Sequence, residues 1–206
     1  MTKGSLELFV AGAGPAYTDR PGATGAAYLV RHGSTAILLD LGQGSLPRVV
    51  SEVDPSELDA VVISHLHPDH FIDLVALRHY LRYGLDPPRR LRVLAPAGLA
   101  GRLDALHDEP GFTAEALDCA NLAEGPLIHP GDTLLCEVSF GPGPVPDGVN
   151  HLDGPAVGEL AANEGVGRVL LTHLQMGYSQ AATIESVRSR FDGLVELVEP
   201  GSRFTI

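Results

Sequence analysis

Cysteine is scarce in this chain: Cys119 and Cys136 are the two among 206 residues. So few, with no regular spacing, exclude a disulfide framework and point to a reducing setting such as the cytoplasm. Cations are scarce as well. Fourteen Lys and Arg stand against 26 Asp and Glu, a net charge of −12, and the basic residues cluster only in the short Arg89-Arg90-Leu91-Arg92. That balance repels a polyphosphate backbone and argues against nucleic acid as a partner. No run approaches the roughly 18 apolar residues that a membrane span needs. Met1 to Ser5 lead into a strand-like run instead of an apolar signal segment, so the expectation is a soluble, unexported protein with no membrane partner. Internal repeats, linkers and low-complexity tracts are absent, and the stiff Gly141-Pro142-Gly143-Pro144-Val145-Pro146 is the one conspicuous loop.

What is present is a globular balance, 44% hydrophobic and 19% charged, in a length that suits one domain over residues 1–206. Leu6 to Val10 reads as a strand. The Gly12-Ala13-Gly14-Pro15 that follows is a poor nucleotide loop, because proline stands where the fingerprint's helix would build. Ala26 to Val30 and Thr35 to Leu39 flank Arg31-His32-Gly33-Ser34 as a hairpin. Strands are expected again at Asp59–Ser64, Leu91–Ala95, Thr133–Ser139, Arg168–Thr172 and Leu194–Val198. Helices are expected over about 46–53, 74–84, 98–107, 154–163 and 181–191. Strands lead and then alternate with helices, which gives an α+β or α/β layered sandwich.

The chemistry concentrates in His65-Leu66-His67-Pro68-Asp69-His70, four potential metal ligands within six residues, placed where an apolar strand ends and a helix begins. Alternate spacing lets His65 and His67 share one metal while the turn carries Asp69 and His70 to a neighbouring one. Imidazole and carboxylate suit zinc, with manganese or iron as alternatives. Two such cations can hold a hydroxide between them and make a nucleophile at neutral pH.

These six residues resemble the H-x-H-x-D-H signature of the metallo-β-lactamase superfamily, whose fold is an αββα sandwich. Leu38-Leu39-Asp40-Leu41-Gly42 resembles its earlier strand ending in Asp and Gly, and Leu170-Leu171-Thr172-His173 its late strand ending in a histidine ligand. The stretch from His151-Leu152-Asp153-Gly154 to His173 is most similar to the ribonuclease Z-like branch. The resemblance implies His65 and His67 as ligands of a first metal and Asp69, His70 and His173 as ligands of a second. It implies His151 beside the scissile group, with Asp69 and His151 as the catalytic pair, and Asp40 organising the loops beneath the metals.

Relatives carry two further ligands in the middle of the chain, a histidine for the first metal and a bridging aspartate, and here that interval is short. Asp118, in Asp118-Cys119 ahead of an expected helical stretch, is taken as the bridge, with Asp132 and His129 of His129-Pro130-Gly131-Asp132 as competitors. The first metal site is therefore expected to be incomplete, to take a ligand from another subunit, or to belong to a non-catalytic remnant. The expected activity is metal-dependent hydrolysis of a small phosphodiester. The alternatives are a lactone, thioester or other acyl substrate, and a metal-binding protein without turnover. A homodimer is implied by resemblance alone, with Phe140 to Val149 as a contact surface.

Overall fold

The computed structural model describes residues 5–122 and 128–206. Met1 to Gly4 of the leading segment, and residues 123–127 of the short interior interval, lie outside the described residues. The chain groups into two compact units, one of Met1–Gly12, Thr24–Glu124 and Gly201–Ile206, the other of Ala13–Ala23 and Gly125–Pro200.

The first unit is built on a seven-stranded sheet. Its strands are β1 (Glu7–Gly12), β2 (Ala27–His32), β3 (Thr35–Leu39), β4 (Ala60–Val62), β5 (Leu91–Ala95), β6 (Leu117–Asn121) and β10 (Arg203–Thr205), in the order β10-β1-β2-β3-β4-β5-β6. Pairing is antiparallel from β10 to β3 and parallel from β3 to β6. The hairpin is as the sequence predicts: His32 pairs with Thr35, and Gly33 turns the chain at φ 60°, a conformation that glycine adopts without a Cβ penalty.

The parallel half needs crossover helices, and these are α1 (Leu46–Val50), α2 (Pro68–Phe71) with α3 (Leu74–His79), and α4 (Leu99–His107). The helix expected over 74–84 is α-helical only to His79 and finishes as one π turn, Tyr80–Gly84. Leu38, Val61, Ile63, Leu74, Leu77, Val93 and Leu103 are fully buried between sheet and helices.

β6 corrects an expectation. The stretch at Asp118-Cys119 is a strand, in parallel register with β5 from Leu91↔Leu117 to Ala95↔Asn121. Its local pattern is weak, and pairing with a neighbouring strand decides its conformation.

The second unit is a three-stranded parallel sheet of β7 (Thr133–Glu137), β8 (Arg168–Thr172) and β9 (Leu194–Leu197), in that order. Helix α5 (Gly154–Glu164) connects β7 to β8, and α6 (Gln180–Arg188) connects β8 to β9. Both helices begin on a capping side chain, with Asp153 accepting from Ala156 N at 3.0 Å and Ser179 from Ala182 N at 3.3 Å. Val157, Ala161, Val169, Leu171 and Val187 form this unit's core. Among the described residues no helix is long and apolar enough to cross a membrane.

Candidate metal centre

In the first unit the site is laid down by the carboxyl ends of β3 and β4. Asp40 follows β3 in the left-handed region, φ 57°, with its N–H donating to Val62 O at 2.8 Å. The turn aims its carboxylate at the segment after β4. Oδ1 accepts from Ser64 N at 2.7 Å, and Oδ2 accepts from Ser64 Oγ and from His70 Nδ1, each at 2.8 Å. A carboxylate only accepts, so the proton of His70 sits on Nδ1 and the ring's lone pair on Nε2. That is how outer carboxylates orient metal-binding imidazoles.

His70 Nε2 lies 3.6 Å from Asp69 Oδ2. Ser64 Oγ also lies 3.0 Å from His65 Nδ1. Because the hydroxyl proton goes to Asp40, His65 Nδ1 is the donor in that contact, and its lone pair is again on Nε2. That atom is 3.0 Å from His67 Nδ1. Burial, then the neighbouring His70 and His67, push the His65 pKa below its ordinary value, while Asp40 and Asp69 pull the other way. The neutral imidazole that a cation needs is the favoured form.

The backbone of this segment is clamped as well. Leu41 N donates to His70 O at 2.7 Å and Ala26 N to Asp69 O at 3.2 Å. Gly42 lies so close that a Cβ there would stand 1.9 Å from the Asp69 carbonyl oxygen. Glycine after Asp40 is thus a packing requirement of the histidine turn.

In the second unit His173 follows β8, buried, with φ 61° and its N–H donating to Ala13 O at 3.2 Å. The ring of His151 stacks toward it, with centroids 6.5 Å apart and planes 23° apart. Sequence reasoning missed what holds His151. Glu137, at the end of β7, accepts from Leu152 N at 2.7 Å through Oε1 and from Ser139 N at 2.7 Å through Oε2. The same Oε1 and Ser139 Oγ each lie 3.4 Å from His151 Nδ1. A signal existed: Leu134-Leu135-Cys136-Glu137 is an apolar strand ending in a charged residue, and Glu137 pairs in register with Thr172, one residue before His173.

His65, His67, Asp69 and His70 are brought together as expected; Asp118 is not. Through Ala60↔Arg92 and Arg92↔Asp118 it sits level with the first residue of β4. The histidines follow the other end of that strand, about 16 Å away at the usual rise per residue. Asp118 is half exposed and its Oδ2 accepts from Arg92 Nη1 at 2.8 Å. Asp132 and His129 fare no better. They close a local turn, His129 N donating to Asp132 Oδ2 at 2.8 Å, at the amino end of β7, whereas His173 follows the carboxyl end of β8. Burial pushes the Cys119 thiol up to about 11 and the Cys136 thiol to about 12, so in the metal-free protein neither is a thiolate near neutral pH.

A family model described as the metallo-beta-lactamase superfamily matches residues 20–172. The chain belongs to that superfamily. Superfamily members bind divalent metals, and the donor set on the histidine turn, three imidazoles and a carboxylate, fits such ions. An uncharacterized protein of Mycobacterium leprae is 27% identical over 239 aligned positions, covering 90% of this chain and 84% of the relative. Because 239 positions exceed the 206 residues available, that relative carries at least 33 internal residues with no counterpart here. Ribonuclease Z of Mycobacterium marinum is 34% identical over 104 residues, 49% of this chain and 37% of that enzyme. About half of this superfamily member is therefore similar to a ribonuclease Z, and its interior is shorter than that of the Mycobacterium leprae relative. Its fold matches that of the metallo-beta-lactamase fold protein YhfI of Bacillus subtilis with a TM-score of 0.82 at 19% identity, over 97% of this chain and 99% of that one.

Proposed function

We propose that the protein is a metal-dependent hydrolase of a small phosphodiester, holding two divalent cations, zinc first and manganese or iron as alternatives. The observation that carries this reading is the pairing of donor atoms on one turn, His65 Nε2 with His67 Nδ1 at 3.0 Å and Asp69 Oδ2 with His70 Nε2 at 3.6 Å. The first pair is assigned to one cation and the second pair to the other. Bound divalent cations supply the positive charge that polarises a phosphoryl oxygen and acidifies water. The chain's own residues do the rest. Asp40 and Ser64 hold His65 and His70 in the tautomers that present Nε2. Asp69 orients the attacking water. Glu137 accepts from His151 Nδ1 and orients the ring; by the family resemblance His151 acts in the form that also carries a proton on Nε2, donating it to the leaving oxygen and so stabilising the charge that develops there.

Similarity to ribonuclease Z supports phosphate-ester chemistry, and the net charge of −12 favours a small ester over RNA. The free thiols support a reducing, cytoplasmic setting, and a single domain and a homodimer complete the reading by resemblance. A second reading, a metal-binding remnant without turnover, is favoured by the distance of Asp118 from the histidine turn and by the shortened interior.

Metal content of protein purified without chelator, measured beside hydrolysis of a phosphodiester, a lactone and a thioester, separates these readings. The expected result is metal bound and the phosphodiester cleaved, with His67→Ala losing the first metal. Bound metal with acyl turnover alone moves the protein to the acyl class, and less than one metal per chain with no turnover refutes the hydrolase.

A further inference from the structure

In the first unit Arg78 and Arg82 pair with Glu115, Arg92 with Asp118 and Arg203 with Glu52, while Arg31, Arg48 and Arg89 donate to backbone carbonyls away from the histidine turn. Arg102 differs in where its carbonyl partner lies. It lies in the first turn of α4, exposed, and its Nη1 donates to Leu66 O at 2.8 Å, the carbonyl between His65 and His67. Among the described residues it has no carboxylate partner, and that carbonyl takes one of its five N–H groups. In a chain of net charge −12, an uncompensated cation held against the histidine turn is the local exception.

From this placement we infer that Arg102 is a specificity-determining residue, binding a second anionic group of the substrate, such as a phosphate carried by the same nucleoside as the scissile ester. The inference rests on the phosphodiester reading above. A guanidinium fork binds phosphate through two parallel N–H groups, and Nε and Nη2 are available for this while Nη1 stays on Leu66. The acidic surface discourages anions elsewhere, so one cation at the site selects between substrates that differ by a single charge.

The test compares the p-nitrophenyl ester of thymidine 5′-phosphate with its 3′-phosphorylated counterpart, using metal-loaded wild type, Arg102→Gln and Arg102→Lys. Direct binding of thymidine 3′,5′-bisphosphate and metal content are measured on the same samples. Arg102→Gln is expected to raise KM for the 3′-phosphorylated ester, and Kd for the bisphosphate, by about 10- to 100-fold, the loss of a charge-assisted pair. It should leave kcat, metal content and the KM of the plain ester in place, and Arg102→Lys should retain part of the preference. Equal KM changes for both esters, an unchanged bisphosphate Kd, or loss of metal in both variants overturns the inference and leaves Arg102 as an anchor of Leu66. If wild type cleaves neither ester, the phosphodiester reading fails, and the bisphosphate Kd alone decides for or against Arg102.

Discussion

Asp40 binds no metal in the proposed site, yet it governs several donors at once. Its carboxylate satisfies Ser64 N, orders Ser64 Oγ and fixes the tautomer of His70. Asp40→Asn keeps a residue tolerant of the left-handed backbone but forfeits one acceptor oxygen, so His70 and Ser64 compete for what remains. Metal affinity should fall about 10- to 100-fold, the effect typical of losing an outer carboxylate, read by titration against a competing chelator. Asp40→Ala additionally strands the Ser64 N–H and strains the turn, and should cost about 2 kcal/mol of metal-free stability by denaturant unfolding. Equal metal affinity in Asp40→Asn and wild type would show that the tautomer is set elsewhere.

At the scale of elements, two connections position the histidine turn and its surroundings. The strand-end segment Asp40-Leu41-Gly42 carries α2 on its backbone, so Gly42→Ala drives a methyl group into the Asp69 carbonyl at 1.9 Å. Because the obstacle is main chain, the turn must move. We expect a loss of about 1–3 kcal/mol, as for overpacking, together with weakened metal binding; calorimetry and metal titration of the same variant check both.

The second connection joins α4 to β6. Asp104 on α4 accepts from Thr113 N at 2.8 Å and Gly111 N at 2.9 Å. Hydrogen bonding by Thr113, and less so by Gly111, holds its carboxyl below the ordinary 3.8. A depressed carboxyl stabilises the native state fully above the unfolded value, and that contribution is lost as pH falls through the folded one. Asp104→Ala should therefore cost about 1 kcal/mol at pH 7, at the low end for two solvated hydrogen bonds. The difference from wild type should vanish as acidification takes the pH below 3.8 and through the lowered folded value; a gap that persists beyond that would locate the effect in helix propensity instead.

For the molecule as a whole, a metal that binds the folded state alone acts as a stability ligand. With ion at about 100 times Kd, folding gains about 2.7 kcal/mol, which for a chain of this size raises Tm by roughly 5–10 °C. The chain has no tryptophan, so calorimetry with and without chelator is the suitable probe. An unchanged Tm would mean that the folded state binds no metal under those conditions.

By itself the sequence determined the strand and helix order apart from β6, the hairpin at Gly33, the histidine turn and the family. Each of these is written in local spacing, apolar periodicity or a short motif. The end of one apolar strand announces His65, and the end of another announces His173. What only the tertiary structure decided is which residues share a sheet edge. Asp118 has the right chemistry and a plausible position in the chain. Parallel register nevertheless sets it at the amino end of β5 and β6, facing Arg92, away from the histidines that follow the carboxyl end of β4. Glu137 carries no motif, yet folding brings its carboxylate to His151 across 14 residues of sequence. Arg102 reaches Leu66 over a separation of 36. Strand register and helix crossover are long-range properties, fixed by the burial of a common core and not by neighbours in the chain, so their consequences for the site appear only in the folded molecule.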